Sequence, residues 1–399
     1  MNKLITLLLA LVILLVEINC SSNGDTNQNT SVYLNHADSV QYVGMNTCKG
    51  CHSNIHETFI HTGMGQSFGM ANEQKTAAKF NSHAIVYDKY LDFYYQPILK
   101  NKEIFILEYR LAGKDTVHKR LEKVNYIIGS GMHTNSHLSQ TNGYIFQMPL
   151  TFYTQKGQWD LPPGFENKHN SRFSRTIELE CMSCHNAYPN IMPGSKNKFV
   201  SIPQGIDCER CHGPGSIHVR EKQLGHLVDT ATMIDYTIVN PKKLPYDLQV
   251  DVCQRCHLQG DAVLAEGKSF FDFKPGQKLS DYINVFLPRY KGDQQSFIMA
   301  SHADRLKQSK CFVESTRLKI NTDTKKYSNS KLSNNNVSSL TCISCHNPHV
   351  SIKNTANIQF NNACKSCHGN QKYASLPLCS EKLSIRKTNE DNCWSCHIV

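Results

Sequence analysis

The 399-residue chain has no glycine-rich phosphate loop, no Ser-His-Asp constellation and no paired-carboxylate site. The usual nucleotide-dependent and hydrolytic chemistries therefore find no support in it. Long apolar runs are also missing. Leu4 to Val16 is 13 residues interrupted only by Thr6, where a membrane span wants about 20. A run of that length suits the core of a secretory signal. Charged residues make up 19% and apolar residues 40%, the balance of a folded protein and not a disordered one. The formal charge of +10 would by itself suggest an acidic partner such as nucleic acid.

Cysteine and histidine are abundant instead, at 17 and 19. Fourteen of the cysteines fall into seven copies of Cys-x-x-Cys-His. The copies are Cys48-Lys-Gly-Cys51-His52, Cys181-Met-Ser-Cys184-His185, Cys208-Glu-Arg-Cys211-His212, Cys253-Gln-Arg-Cys256-His257, Cys342-Ile-Ser-Cys345-His346, Cys364-Lys-Ser-Cys367-His368 and Cys393-Trp-Ser-Cys396-His397. Two cysteines three apart lie on one side of a helical turn, where each can form a thioether to a haem vinyl group. The adjacent histidine then meets the iron as its proximal ligand. Zinc ribbons do not require a histidine after every second cysteine. Thioredoxin-like sites occur once per domain, and the grouped cysteine runs of iron–sulfur proteins are absent. The expectation is seven haem c groups, with His52, His185, His212, His257, His346, His368 and His397 as proximal ligands. Fourteen propionates against +10 leave −4 with ferrous irons, or +3 when seven ferric irons each add a charge. The basic residues thus neutralise cofactor carboxylates and give no argument for nucleic acid.

Haem c is attached outside the cytoplasm, which agrees with the start of the chain. Residues 1–20 read as a signal of the bacterial lipoprotein type, with Cys20 as the lipidated residue, although Glu17 and Asn19 fit that pattern poorly. Plain cleavage and an uncleaved anchor are the alternatives. The expected location is the periplasmic face of the envelope, held to the membrane by lipid. Residues 21–41 form a polar tether, 42–82 the first haem segment, 83–165 a β-rich insertion and 166–399 a six-haem cluster. Between His52 and Cys181 lie 128 residues, whereas Cys181 to His397 packs six motifs into 217. So lean a segment must use porphyrins as its apolar filling. The long gap carries aromatic and β-branched runs around a polar turn at Asn101-Lys102, the pattern of a small antiparallel sheet near 83–160. The fold class expected is mainly α with extensive loops, packed around haems. Residues 317–340 read as a surface loop.

Several stretches go beyond the bare motif: Phe59-Ile-His61-Thr-Gly-Met64-Gly-Gln-Ser-Phe68, Ile128-Gly-Ser-Gly131, Trp159-Asp-Leu-Pro-Pro-Gly164, Cys208 to His218 and Cys342 to His349. Over roughly residues 42–397 the chain resembles a bacterial family of multihaem cytochromes. That family is related to the tetrahaem electron acceptor of hydroxylamine oxidoreductase and often carries appended tetratricopeptide repeats. The resemblance implies a haem-packed, mostly helical fold and electron transfer in the cell envelope. Relatives usually continue past a Cys-x-x-Cys-His-Met-Pro, which is not present here.

Twelve histidines remain for the distal faces. Two histidines on one iron have Cα atoms about 12–13 Å apart with metal–nitrogen bonds of ~2 Å, and three residues span at most about 11 Å. His349 therefore cannot complete the haem of His346 and is a candidate for a neighbouring one. His218, redirected by the Gly213-Pro-Gly215 turn, is another. His302 lies on a helical stretch with Met299 and Leu306. His133 follows a glycine turn, and His61 competes with Met64 for the first haem. His36, His83, His118 and His169 read as surface or sheet residues. Cys311 and Cys379 are left over, a disulfide or inert thiols being the plain alternatives. The function expected is single-electron transfer between redox proteins of the envelope. The alternative is a reductase or oxidase of a small nitrogen or sulfur compound with one open-site haem, and the Cys-x-x-Cys-Lys site of pentahaem nitrite reductases is absent.

Overall fold

A computed structural model describes residues 32–81, 84–258, 260–287, 302–317, 340–368 and Cys393. Cys20 with the signal and most of the tether, His83, most of the 317–340 loop, Cys379, Cys396 and His397 lie outside the described residues. Among the described residues no helix is long and apolar enough to cross a membrane.

The chain opens with two short helices, α1 (Met45–Lys49) and α2 (Ser53–Phe59), around the first motif. Ten strands follow: β1 (Phe68–Met70), β2 (Val86–Asp88), β3 (Phe93–Lys100), β4 (Glu103–Ala112), β5 (Asp115–Lys123), β6 (Tyr126–Ile128), β7 (Thr134–Thr141), β8 (Tyr144–Tyr153), β9 (Gln158–Asp160) and β10 (Arg175–Thr176). They form two antiparallel sheets, one ordered β2-β3-β4-β5 and the other β1-β6-β7-β8-β10 with β9 on β8. The hairpins are set by turn chemistry. Asn101 and Lys102 take φ of 52° and 63° between β3 and β4, and Asn142-Gly143 take 51° and 86° between β7 and β8. Two successive left-handed residues match the strand twist, and asparagine and glycine tolerate that region best.

Strand alternation then fixes what is buried. Phe93 and Tyr95 of β3 and Ile104 and Ile106 of β4 point inward, where they join Val124, Ile127, Met148, Leu150, Phe152, Trp159 and Phe173 in the largest core. A second core joins Phe68, Leu138 and Ile145 of the sheet to Met182, the first variable residue of the second motif. This core ties the sheet to that motif.

Beyond the sheets, helices α3 (Leu179–His185), α4 (Glu209–His212), α5 (Ser216–Gln223), α6 (Tyr246–His257), α7 (His302–Gln308) and α8 (Asn357–His368) carry or flank motifs. Two further antiparallel strand pairs, Asn190–Ile191 with Phe199–Ser201 and Asp261–Leu264 with Ile283–Phe286, lie among them.

The mainly α expectation is overturned. Helix accounts for 29% and strand for 24%. The physical reason is that attachment needs only about one helical turn per motif, so the helices stay short. The long gap, meanwhile, spends its alternating residues on two sheets instead of one small insertion.

Candidate haem-binding site

Each described motif sits on a helical turn. His52, His212 and His346 all donate their backbone N–H to the carbonyl of the first cysteine of their motif, at 2.9, 3.0 and 3.0 Å. The motifs at 181–185, 253–257 and 364–368 lie at the C-terminal ends of α3, α6 and α8. The turn brings both thiols to one side and the imidazole beside them. From Cys48 to Cys367 no described cysteine is in a disulfide, Cys311 included.

The sulfurs of different motifs meet in an order unlike the chain order. The Cys48 thiol lies close enough to Cys208 to be felt by it, as Cys184 does to Cys256 and Cys253 to Cys342. The first attachment turn is thus beside the third, the second beside the fourth, and the fourth beside the fifth.

Histidine rings pair across the motifs. The His52 and His218 ring centroids are 6.5 Å apart with planes 16° from parallel. His212 and His349 are 6.0 Å apart at 12°, and His257 and His302 are 5.0 Å apart at 89°. Burial favours the neutral form of His212, His218, His302, His346 and His349, the form iron ligation requires. His212 is lowered to about 4 by desolvation, against a carbonyl hydrogen bond that raises it. His302 is also held at about 4, desolvation leading, and His218, His346 and His349 shift downward for the same reason.

Second bonds fix which nitrogen is free. His212 Nδ1 lies 2.8 Å from the Val239 carbonyl, so it donates there and leaves Nε2 as the lone-pair nitrogen. His218 Nδ1 lies 2.9 Å from Thr237 Oγ1, which in turn donates to Asp235 at 2.6 Å. Asp235 is anchored by Lys222 at 2.8 Å. His56 Nδ1 and His185 Nδ1 are buried without a hydrogen-bond partner. The donor set of paired free thiols and neutral imidazoles fits haem c.

Of the other distal candidates, His61 is exposed just beyond α2, and the ring facing His52 is that of His218. His133 bonds Gln155 at 2.8 Å and is close enough to be felt electrostatically by His302. His118 pairs with Glu108 inside the sheet region. Sequence reasoning missed Thr237, Asp235 and Val239. Nothing in their local pattern marks them, because they act only through histidines far along the chain.

The family model for cytochrome c554 and c-prime matches residues 162–213, which hold the second and third motifs. No curated protein matches the chain significantly. Among solved structures, that of the outer cell wall cytochrome OcwA resembles it with a TM-score of 0.50 at 17% identity, over 82% of this chain and 68% of that one. At such identity the likeness shows the fold alone. Together these findings support a multihaem c-type cytochrome.

Proposed function

We propose that the protein is an exported heptahaem cytochrome c that passes single electrons between redox proteins of the cell envelope, tethered by lipid on Cys20. Kinship with the tetrahaem acceptor of hydroxylamine oxidoreductase belongs to the same proposal and rests on the motifs quoted above. The observation that carries it is the pairing of His52 with His218 and of His212 with His349. An iron between two imidazoles, with bonds of about 2 Å and each centroid roughly 1.2 Å behind its nitrogen, separates the centroids by ~6.4 Å. The observed 6.5 and 6.0 Å match that span. His218 and His349 are accordingly the distal ligands of the first and third haems. His302 serves the fourth, although its ring stands closer to His257 than an intervening iron allows and must part by roughly 1.4 Å on loading.

The haem supplies a one-electron couple. The chain supplies saturated axial ligation, which lets iron change charge without exchanging ligands, and burial. It also supplies neighbouring attachment turns, first beside third, second beside fourth and fourth beside fifth, which would hold the haems close enough for electrons to pass. Shared ligands strengthen this arrangement. His218 follows the third motif yet faces the first, and His349 follows the fifth yet faces the third.

The test is a pyridine haemochrome assay with intact mass and a spectrum of the oxidised protein. Seven covalent haems and mainly low-spin iron are expected. Five or fewer haems in matured protein would refute the count. A stoichiometric high-spin signal that shifts with nitrite, hydroxylamine or tetrathionate, accompanied by turnover, would favour the reductase alternative.

A further inference from the structure

The second variable residue of each motif is Gly50, Ser183, Arg210, Arg255, Ser344, Ser366 or Ser395, so charge at this position is confined to the third and fourth motifs. The fold gathers both arginines onto the second. Arg210 Nη2 donates to the Ser183 carbonyl at 2.6 Å, and Arg255 Nη1 donates to the same oxygen at 3.2 Å. Ser183 also lies 3.7 Å from Cys256 Sγ, so three attachment turns meet at one carbonyl. The guanidinium carbons approach the Phe271 ring at 4.7 and 5.8 Å. Tyr188 adds a face for Arg210, and Phe273 one for Arg255.

Both side chains are inside the protein, Arg210 at 5% and Arg255 at 8% exposure. Both Nε–H groups are buried without an acceptor. Arginine does not give up its proton in proteins, so these charges are permanent. Their compensation differs. Asp207 and Glu209 flank Arg210 in sequence, and Asp207 interacts electrostatically with Arg210 while burial raises its carboxyl to about 6. Glu209 is turned away, accepting from the backbone N–H groups of Val43, Gly44 and Gly215. Arg255 bonds only carbonyls, those of Ser183 and Phe270, apart from a long contact to Cys256 Sγ. Among the described residues no carboxylate forms an ion pair with it. A fixed cation in a low-dielectric interior acts over several ångströms. It favours the state of a neighbouring iron that carries one positive charge fewer, which is the ferrous state.

We propose that Arg255, seconded by Arg210, sets redox potentials, raising those of the haems on the second, third and fourth motifs so that they form the high-potential part of the chain. Arg255 acts through its charge on the iron and not by ligation, so it is a positioning residue. The inference rests on these motifs carrying haem.

The experiment is a redox titration of matured, full-length protein, followed by haem absorbance, for Arg255→Gln, Arg255→Lys, Arg210→Gln and Arg210→Lys. Pyridine haemochrome counts accompany each. Wild type short of haem on motifs two to four would overturn the cytochrome reading itself, independently of the titration. With haem content intact, the high-potential part of the Arg255→Gln curve should move to lower potential. Arg210→Gln should shift less and the lysine variants least. An Arg255→Gln curve superimposable on wild type overturns the proposal, as does a lysine variant that shifts as far as its glutamine counterpart. Should Arg255→Gln fail to mature, Arg210→Gln decides alone, and an unmoved curve overturns it.

Discussion

Residues 68–176 and residues 179–368 solve the burial problem differently. The sheet region gathers eleven buried residues into one core, from Phe93 to Phe173. Among its described residues the motif region has clusters of its own of only three, Val239, Leu244 and Val252 in one and Phe273, Leu279 and Ile283 in another. Its interior also holds Asn186, Asp207, Glu209, Arg210 and Arg255. Side chains fill the first region. The second has little side-chain core of its own, as expected of a region proposed to take porphyrins as its apolar filling.

The sharpest way to break that comparison is to withhold haem. Chain exported in cells lacking haem attachment should lose ordered structure between 179 and 368 while the sheets persist. Limited proteolysis with mass spectrometry should find early cuts throughout the motif region and a surviving fragment spanning about 68–176. Equal cleavage of both regions would show that the sheets, too, depend on cofactors, and the contrast would fail.

A second prediction tests the self-sufficiency of the sheets from within. Glu108 of β4 has a fully buried side chain and is held by Arg172 and by His118, the latter at 2.9 Å. Burial raises its carboxyl, but hydrogen bonds from Arg172 and His118 outweigh that and leave it below its ordinary value of 4.5. Glu108→Gln takes the carboxylate from a half-exposed Arg172 guanidinium and should cost about 1 kcal/mol of sheet stability, measured by denaturant unfolding in the β-sheet circular dichroism. The sign of the pH effect follows from the depression. Glu108 adds stability above its unfolded value, and that increment is lost as pH falls through the lower folded value. Wild type should therefore weaken below about pH 4.5 more than Glu108→Gln does. Parallel acid profiles would assign the loss to other groups.

The two regions also differ in how legible they are. Haem attachment can be read directly because it needs three residues within five positions, and the Asn101-Lys102 turn can be read because hairpin chemistry is local. The balance of strand and helix could not be read that way. A six-residue alternating run does not reveal that it will join a second sheet, and motif counting overweights helix because each motif marks a turn and not its length. Distal ligands are harder still. His218 is 166 positions from His52, and local signals favour His61, nine residues along. Only the chain's path brings the distant ring opposite, and the same holds for Arg210 and Arg255 meeting at Ser183.

The smallest predicted effect lies one bond behind such a ring. On the proposal that His218 is a distal ligand, His218→Ala should convert one haem to high-spin without loss of covalent haem. Thr237→Val keeps the ring and removes the oxygen that receives its Nδ1–H. The imidazole remains opposite His52 but is less firmly oriented, and one hydrogen bond of about 1 kcal/mol is lost. The spectrum should stay low-spin. Because 1 kcal/mol is roughly a five-fold change in an equilibrium, the fraction of open distal sites should rise about five-fold. Stopped-flow binding of cyanide to a minor phase of one haem should accelerate by that factor. Asp235→Asn, which leaves the threonine oxygen in place, should do less. A cyanide phase unchanged in Thr237→Val but present in His218→Ala would mean that the ligand is positioned by packing alone.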